Sequence, residues 1–241
     1  MTEIGLSLIV PCLNEVENVA ILAKRYFSVA DELPPTEIVY VDDGSNDGTW
    51  EKLESLVSEY GERIVVIRHS VNRGIPAAWA SGLGVARGTH SCLIDADLQN
   101  PPEAGVSLYE ALVSTGADLV RGVRVPASAH PWTRALMSKG LNQLLNIVFK
   151  MKSADNKSGF ILARTSDLRD IVAHTGKYRH FQTFIGVSAH AKGLQDVEVL
   201  TPFENRTSGT SFLEGRSVSV IMEALRDIPV AYREYKVTKQ K

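Results

Sequence analysis

Apolar and polar positions follow a repeating two-part rhythm along the first half of this chain. Leu6 to Val10 is an unbroken apolar run of strand length, and Val16, Val19, Leu22, Ala23, Tyr26 and Ala30 follow it at helical spacing. Glu37 to Val41 predicts a second strand. Asp47-Gly48-Thr49 then opens a helix whose apolar face is Trp50, Leu53, Leu56, Val57 and Tyr60, closed by Gly61. Ile64 to Arg68 predicts a third strand, which passes through Asn72-Arg73-Gly74 into a helix carrying Ala77, Ala78, Gly82, Gly84 and Ala86. Residues that small let a helix lie close to a sheet. His90 to Ile94 reads as a fourth strand, Glu103 to Val113 as a helix and Asp118 to Val123 as a fifth strand. Strands alternating with helices in this way predict an α/β fold with a largely parallel sheet covered on both faces, because parallel strands need crossover connections.

After Arg124 the rhythm changes. Pro126 to Pro131 reads as a loop, Trp132 to Phe149 as a longer helix, Phe160 to Ala163 as a strand, Gln182 to Ala191 as a helix and Val197 to Phe203 as a strand. Val218 to Tyr232 predicts an amphipathic helix ahead of the basic tail Lys236 to Lys241. No segment repeats another. No uncharged apolar run approaches the ~18 to 20 residues of a membrane-spanning helix; the longest candidates, Gly140 to Phe149 and His180 to Ala191, are short and contain polar groups. The start of the chain lacks the charged, apolar and small-residue order of a signal peptide. The expectation is a cytoplasmic protein, in contact with a membrane face only peripherally.

At 241 residues and 44% hydrophobic, the chain is long enough to bury a substantial core as one large domain. A formal net charge of −2 gives no global basic field, which argues against a nucleic-acid partner. Cys12 and Cys92 lie on or beside predicted buried strands and match no CxxC spacing, so they read as reduced thiols.

The richest chemistry lies in Leu93-Ile94-Asp95-Ala96-Asp97-Leu98-Gln99-Asn100-Pro101-Pro102. If the strand continues through it, Asp95 and Asp97 share a pleat face and address one cation, with Gln99 as a third oxygen. A hard ion such as Mg²⁺ takes oxygen ligands and is commonly completed by water and substrate phosphate, so the pattern suits a nucleotide diphosphate. A plainer reading ends the strand at Asp95 and gives Asp97 a local turn bond. Three more stretches sit where a strand hands over to a helix, the place where open α/β sheets bind ligands. They are Ile9-Val10-Pro11-Cys12-Leu13-Asn14-Glu15, Val39-Tyr40-Val41-Asp42-Asp43-Gly44-Ser45 and Asn72-Arg73-Gly74.

In order and spacing these four elements closely resemble the family-two inverting glycosyltransferases of the GT-A fold. Three further segments look like dolichol-phosphate mannosyltransferases and related polyprenyl-phosphate glycosyltransferases: Trp132 to Gly140, Asp155-Asn156-Lys157-Ser158-Gly159-Phe160, and Asn205-Arg206-Thr207-Ser208-Gly209-Thr210-Ser211. The resemblance spans roughly residues 4 to 225. It implies a nucleotide-sugar-binding half over residues 1–124, an acceptor-side half over 125–215, and a C-terminal helix and basic tail over 216–241. It also implies a donor site drawn from Pro11, Leu13, Glu15, Val41, Asp42, Asp43, Asn72, Arg73, Gly74, Asp95, Ala96 and Arg124. Asp95, Asp97 and Gln99 would hold Mg²⁺ or Mn²⁺. Arg124, Arg134, Ser138 and Arg206 match positions that hold phosphate in such enzymes, and Asp155 would lie near sugar and metal.

The implied reaction moves a hexose, with mannose favoured, from a GDP- or UDP-linked sugar to a polyprenyl phosphate. One departure stands out: Phe212 follows Gly209-Thr210-Ser211 where the dolichol-phosphate enzymes usually have lysine. Plainer readings remain open for Glu15 (the helix dipole), for Asp42-Asp43-Gly44-Ser45 (a capped turn), for Asn72 to Gly74 (a loop or a phosphate-binding helix start) and for the arginines (solvated charges). Two rivals stay in view. One is a same-fold enzyme acting on a hydroxyl, for which Asp155 is the candidate base. The other is a silent nucleotide-sugar-binding module, disfavoured by the intact Asp95, Asp97 and Gln99.

Overall fold

Leu6–Cys12 (β1), Thr36–Asp42 (β2) and Ile64–Arg68 (β3) align side by side, all parallel, because each is joined to the next by a helix. The structure is a computed structural model that describes residues 3–124, 132–156, 158–173, 178, 181–204 and 217–239. Side chains are described for all of these except 124, 132–138, 217–221 and 236–239. The connecting helices are Val19–Ser28 (α1), Thr49–Tyr60 (α2) and Ile75–Val85 (α3). His90–Leu93 (β4), Ala104–Thr115 (α4) and Leu119–Arg124 (β5) continue the pattern. Then come Trp132–Phe149 (α5), Ile161–Arg164 (β6), Thr165–Val172 (α6), Ile185–Ala191 (α7), Asp196–Thr201 (β7) and Ser217–Lys239 (α8). The seven strands form one sheet in the order β3-β2-β1-β4-β6-β5-β7.

Only β6 runs against the rest. It pairs antiparallel with both β4 and β5, so β5 and β7 regain the direction of β1 to β4. The carboxyl ends of β1, β2, β3, β4 and β5 therefore open on one edge. The strand order reverses between β1 and β4, which is where a crevice forms in such sheets. Pro11 fits this break. The Ile9 carbonyl accepts from Ile94 N–H on the β4 side, and Pro11, two residues on, faces the same way. The β1–β4 pairing ends at Ile9 and Leu93, so the N–H that Pro11 lacks would have had no partner.

The sheet is buried on both faces. Leu8, Val10, Tyr26, Tyr40, Leu53 and Leu108 belong to the core under α1, α2 and α4, whereas Ile9, Val39, Trp79, Leu83, Leu168 and Ile185 belong to the core under α3, α6 and α7. A third cluster joins α5, α7 and α8 through Leu145, Phe149, Val187 and Ala231. Small residues on α3 do bring it close to the sheet. A Cβ on Gly82 would lie 2.6 Å from Ile9 Cγ2 and 3.2 Å from Val41 Cγ2.

Four expectations need correction. Helix α6 was absent from the sequence reading although Leu168, Ile171 and Val172 form an apolar stripe; at eight residues it is too short to stand out. Phe181–Phe184 is a 3₁₀ turn, so the helix expected from Gln182 begins at Ile185. Helix α8 passes through Pro229 and absorbs the basic stretch to Lys239, so most of the expected tail is helical. The fourth strand stops at Leu93, and the shared pleat face proposed for Asp95 and Asp97 does not exist. The loop at 126–131 lies outside the described residues. No helix among the described residues is long and apolar enough to cross a membrane. Cys12 and Cys92 are both free and buried, and burial pushes both thiols well above their usual range.

Candidate active site

The β1–α1 and β2–α2 connections are stitched to one another at the open edge. Asn14 N–H donates to Ser45 Oγ at 2.9 Å, and Asn46 N–H returns a bond to Asn14 Oδ1 at 3.0 Å. Asn14 has φ 57°, a left-handed conformation that asparagine tolerates and that turns the chain back toward β2. Glu15 N–H donates to Thr49 Oγ1 at 2.9 Å and Val16 N–H to Asp47 Oδ2 at 3.2 Å. Glu15 is itself half-buried and accepts from Asn18 Nδ2 at 2.6 Å. Burial works to raise the Asp47 carboxyl, but bonds from Thr49 and Val16 outweigh it and hold the group below its ordinary value. A depressed carboxylate contributes stability above its unfolded pKa and loses it as pH falls through the folded one, so this stitch persists into mildly acidic solution. Asp47 and Thr49 were legible in the sequence only as a helix start.

Asp42 and Asp43 end β2 in different environments. Asp42 is fully buried; its Oδ1 accepts from Ser45 N–H at 2.9 Å, and its Oδ2 lies 3.4 Å from Arg68 Nε with no hydrogen bond. Arg68 also covers the Trp50 ring at 5.0 Å. Asp43 Oδ1 accepts from Arg73 N–H at 2.9 Å and Oδ2 from Gly74 N–H at 2.7 Å. The two amides just ahead of α3 are thus held by the protein's own carboxylate. In the segment Asn72 to Gly74, which the sequence leaves open as a plain loop or a phosphate-binding helix start, the amides of Arg73 and Gly74 serve Asp43.

Below β4 the backbone turns sharply. Asp95 is half-buried and Asp97 is 6% exposed. Asp97 Oδ1 accepts from Gln99 N–H at 3.0 Å, the local turn bond of the plainer reading. Leu98 between them has φ 61°, a conformation that costs a β- or α-preferring residue about 1 to 2 kcal/mol. Its side chain is 1% exposed in the core beside Ala96, and that burial holds the turn. Gln99 C=O then accepts from Glu204 N–H at 2.9 Å. Arg25 on α1 forks onto Glu103 at 2.9 and 2.8 Å and reaches Glu204 at 3.1 Å, closing the loop from outside. Asp95, Asp97 and Gln99 carry the oxygen donors that a hard cation takes. Among the described residues there is no group of three or more His, Cys, Asp or Glu that could hold a metal ion.

Two of the positions expected on the acceptor side fall in α5. Arg134 and Ser138 are four apart in this helix, and their side chains lie outside those described. Asn142 and Asn146 continue that spacing and hold the loop that carries Asp155. Asn142 Nδ2 donates to Ser153 O at 2.7 Å, Asn142 Oδ1 accepts from Asn156 N–H at 2.8 Å, and Asn146 Nδ2 donates to Ser153 O at 2.9 Å. Glu198 on β7 accepts from Ser153 Oγ at 2.6 Å. Asp155 is thereby half-buried in a fixed loop, with its carbonyl 3.4 Å from Arg121 Nη1. The two asparagines were missed in the sequence, where an i, i+4 pair of amides had no partner in view. Arg124 ends β5 on the open edge, and Arg206 lies outside the described residues.

The family model for glycosyl transferase family 2 matches residues 7–172. The chain belongs to that family. A dolichol-phosphate mannosyltransferase of Pyrococcus furiosus is 34% identical over 228 residues, which is 92% of this chain and 62% of the relative. This family member thus spans about three fifths of that relative's length. A polyprenol monophosphomannose synthase of Mycolicibacterium smegmatis is 32% identical, covering 89% of this chain and 83% of its own. Among solved structures, glucosyl-3-phosphoglycerate synthase from Mycobacterium tuberculosis in complex with Mn²⁺, UDP and phosphoglyceric acid superimposes with a TM-score of 0.65. It is 18% identical, and the match covers 93% of this chain and 78% of the other. The family-2 transferase described here therefore has the GT-A fold expected from its motifs.

Proposed function

We propose that this family-2 protein is an inverting, metal-dependent hexosyltransferase that moves a sugar, with mannose favoured, from a nucleotide diphosphate to a polyprenyl phosphate. The observation that carries the reading is the identity of about a third, over nine tenths of the chain, to relatives named for mannosyl transfer to dolichol phosphate or polyprenol. Pro11, Leu13, Glu15, Val41, Asp42 and Asp43 hold base and ribose, with directional acceptors supplied by the carboxylates. Arg73, Ala96 and Arg124 line the path to the diphosphate. Asp95, Asp97 and Gln99 hold Mg²⁺ or Mn²⁺, which when bound stabilises charge developing on the leaving diphosphate.

A phosphate acceptor is already an anion near neutral pH, so it needs alignment more than a base, and Arg134, Ser138 and Arg206 supply that alignment. Contact with the membrane that carries such a lipid is peripheral, through α5 and α8, where Ile147 is 68% and Met222 49% exposed. A second reading, transfer to a hydroxyl with Asp155 as base, draws support from Phe212 standing in place of the usual lysine.

Steady-state kinetics with a short polyprenyl phosphate separate the two. Arg134→Ala and Arg206→Ala should each raise acceptor KM or lower kcat by about tenfold or more, the effect of losing a charge-assisted contact worth roughly 1.5 to 3 kcal/mol. Asp155→Asn should retain substantial activity. A loss on the order of 10² to 10⁴ in Asp155→Asn, with both arginine variants near wild type, belongs to the hydroxyl reading.

A further inference from the structure

His69, the residue after β3, adjoins none of the motif positions in sequence, yet it is buried against Asp43, the acid that follows β2. Its Nδ1 lies 2.7 Å from Asp43 Oδ1 and its Nε2 2.9 Å from Ser81 Oγ on α3, with only 6% of the residue exposed. Its own N–H donates to Asp42 O at 2.8 Å, so the ring is fixed from the backbone as well. A neutral imidazole with the proton on Nδ1 satisfies both ends: Nδ1–H donates to Asp43, and Nε2 accepts the Ser81 hydroxyl proton. Asp43 Oδ1 then receives two donors, the imidazole and Arg73 N–H, while Oδ2 receives Gly74 N–H. A carboxylate has about four acceptor positions, so one remains, on Oδ2.

The loop that supplies those amides is clamped from its other side too. Gly44 has φ +83°, and a Cβ there would meet Asn72 N and Val71 C at 2.8 Å. The carboxylate, the 71–74 loop and the start of α3 thus form one rigid unit whose inner end is the His69–Ser81 link. We propose that His69 is a positioning residue for the donor nucleotide: it aims the one uncommitted lone pair of Asp43 at the nucleotide and locks the loop beside it. The inference rests on the reading that Asp43 serves the nucleotide.

Calorimetry with GDP and with UDP in the presence of Mn²⁺ tests it, alongside donor KM and kcat and a melting curve for each variant. His69→Ala should raise the nucleotide Kd about tenfold, with kcat at saturating donor within about twofold of wild type, because the lost contact acts before the chemical step. His69→Asn keeps a donor directed at Asp43 and should recover most of that affinity, even where His69→Ala proves too unstable to measure. Equal weakening in His69→Asn and His69→Ala, or unchanged affinity in His69→Ala while Asp43→Ala still weakens binding, overturns the role of His69. Unchanged affinity in Asp43→Ala overturns the underlying nucleotide reading instead.

Discussion

Asp97→Ala is expected to reduce sugar transfer by about 10³-fold or more while leaving the melting transition close to that of wild type, because on the proposed function it would remove an anionic ligand of the metal and with it several kcal/mol of transition-state stabilisation. The turn around it has supports besides this carboxylate: buried Leu98, and Glu204 N–H on the Gln99 carbonyl. Excess EDTA on the wild-type protein should mimic the substitution, and added Mn²⁺ should reverse EDTA but not Asp97→Ala. Wild-type rates in EDTA would show that no metal is needed, and an Asp97→Ala protein that unfolds would show that the acid is structural.

The largest effect on stability is expected at the opposite side of the sheet. Arg121 in β5 is 1% exposed, pairs with Asp196 of β7, and leaves its Nε without a hydrogen bond. Burial lowers the guanidinium pKa, with Glu198 and Asp155 acting in the other direction. Gly186 permits the close approach, since a Cβ there would fall 2.6 Å from Arg121 Nη1. Asp196→Ala leaves this cation buried without its partner and should cost about 3 to 5 kcal/mol in urea denaturation, whereas Arg121→Met with Asp196→Leu should recover much of the loss. A cost below about 1 kcal/mol for the single variant would mean that water or Glu198 compensates, and that the pair is not a buried ion pair in solution.

Much of the molecule was readable from letters alone, for reasons that vary along the chain. Ile64–Arg68 and Trp132–Phe149 match the expected bounds because long apolar periodicity and flanking Gly or Pro leave little choice. The direction of β6 was not readable, since a strand's side chains alternate identically whichever way it runs. Helix α8 runs past the expected end at Tyr232 because the lysines from Lys236 read as a solvated tail, while Ala231 and Tyr235 pack the helix into the cluster with α5 and α7. At the site, the order of the acids was visible but their commitments were not. That Asp43 would be claimed by the amides of Arg73 and Gly74, that Leu98 would take a left-handed turn, and that Asn142 and Asn146 would hang the Asp155 loop all depend on neighbours remote in sequence.

The central claim is transfer of a hexose from a nucleotide diphosphate to a lipid phosphate. The most direct measurement incubates the protein and Mn²⁺ with radiolabelled GDP-mannose, or a UDP-hexose, and a short polyprenyl phosphate, then partitions the products between water and butanol. The account predicts label in the butanol phase that depends on metal and on Asp97, and that is lost when the free polyprenol replaces its phosphate. Label that stays in the aqueous phase with every donor, while appearing on a soluble hydroxyl acceptor, would contradict it.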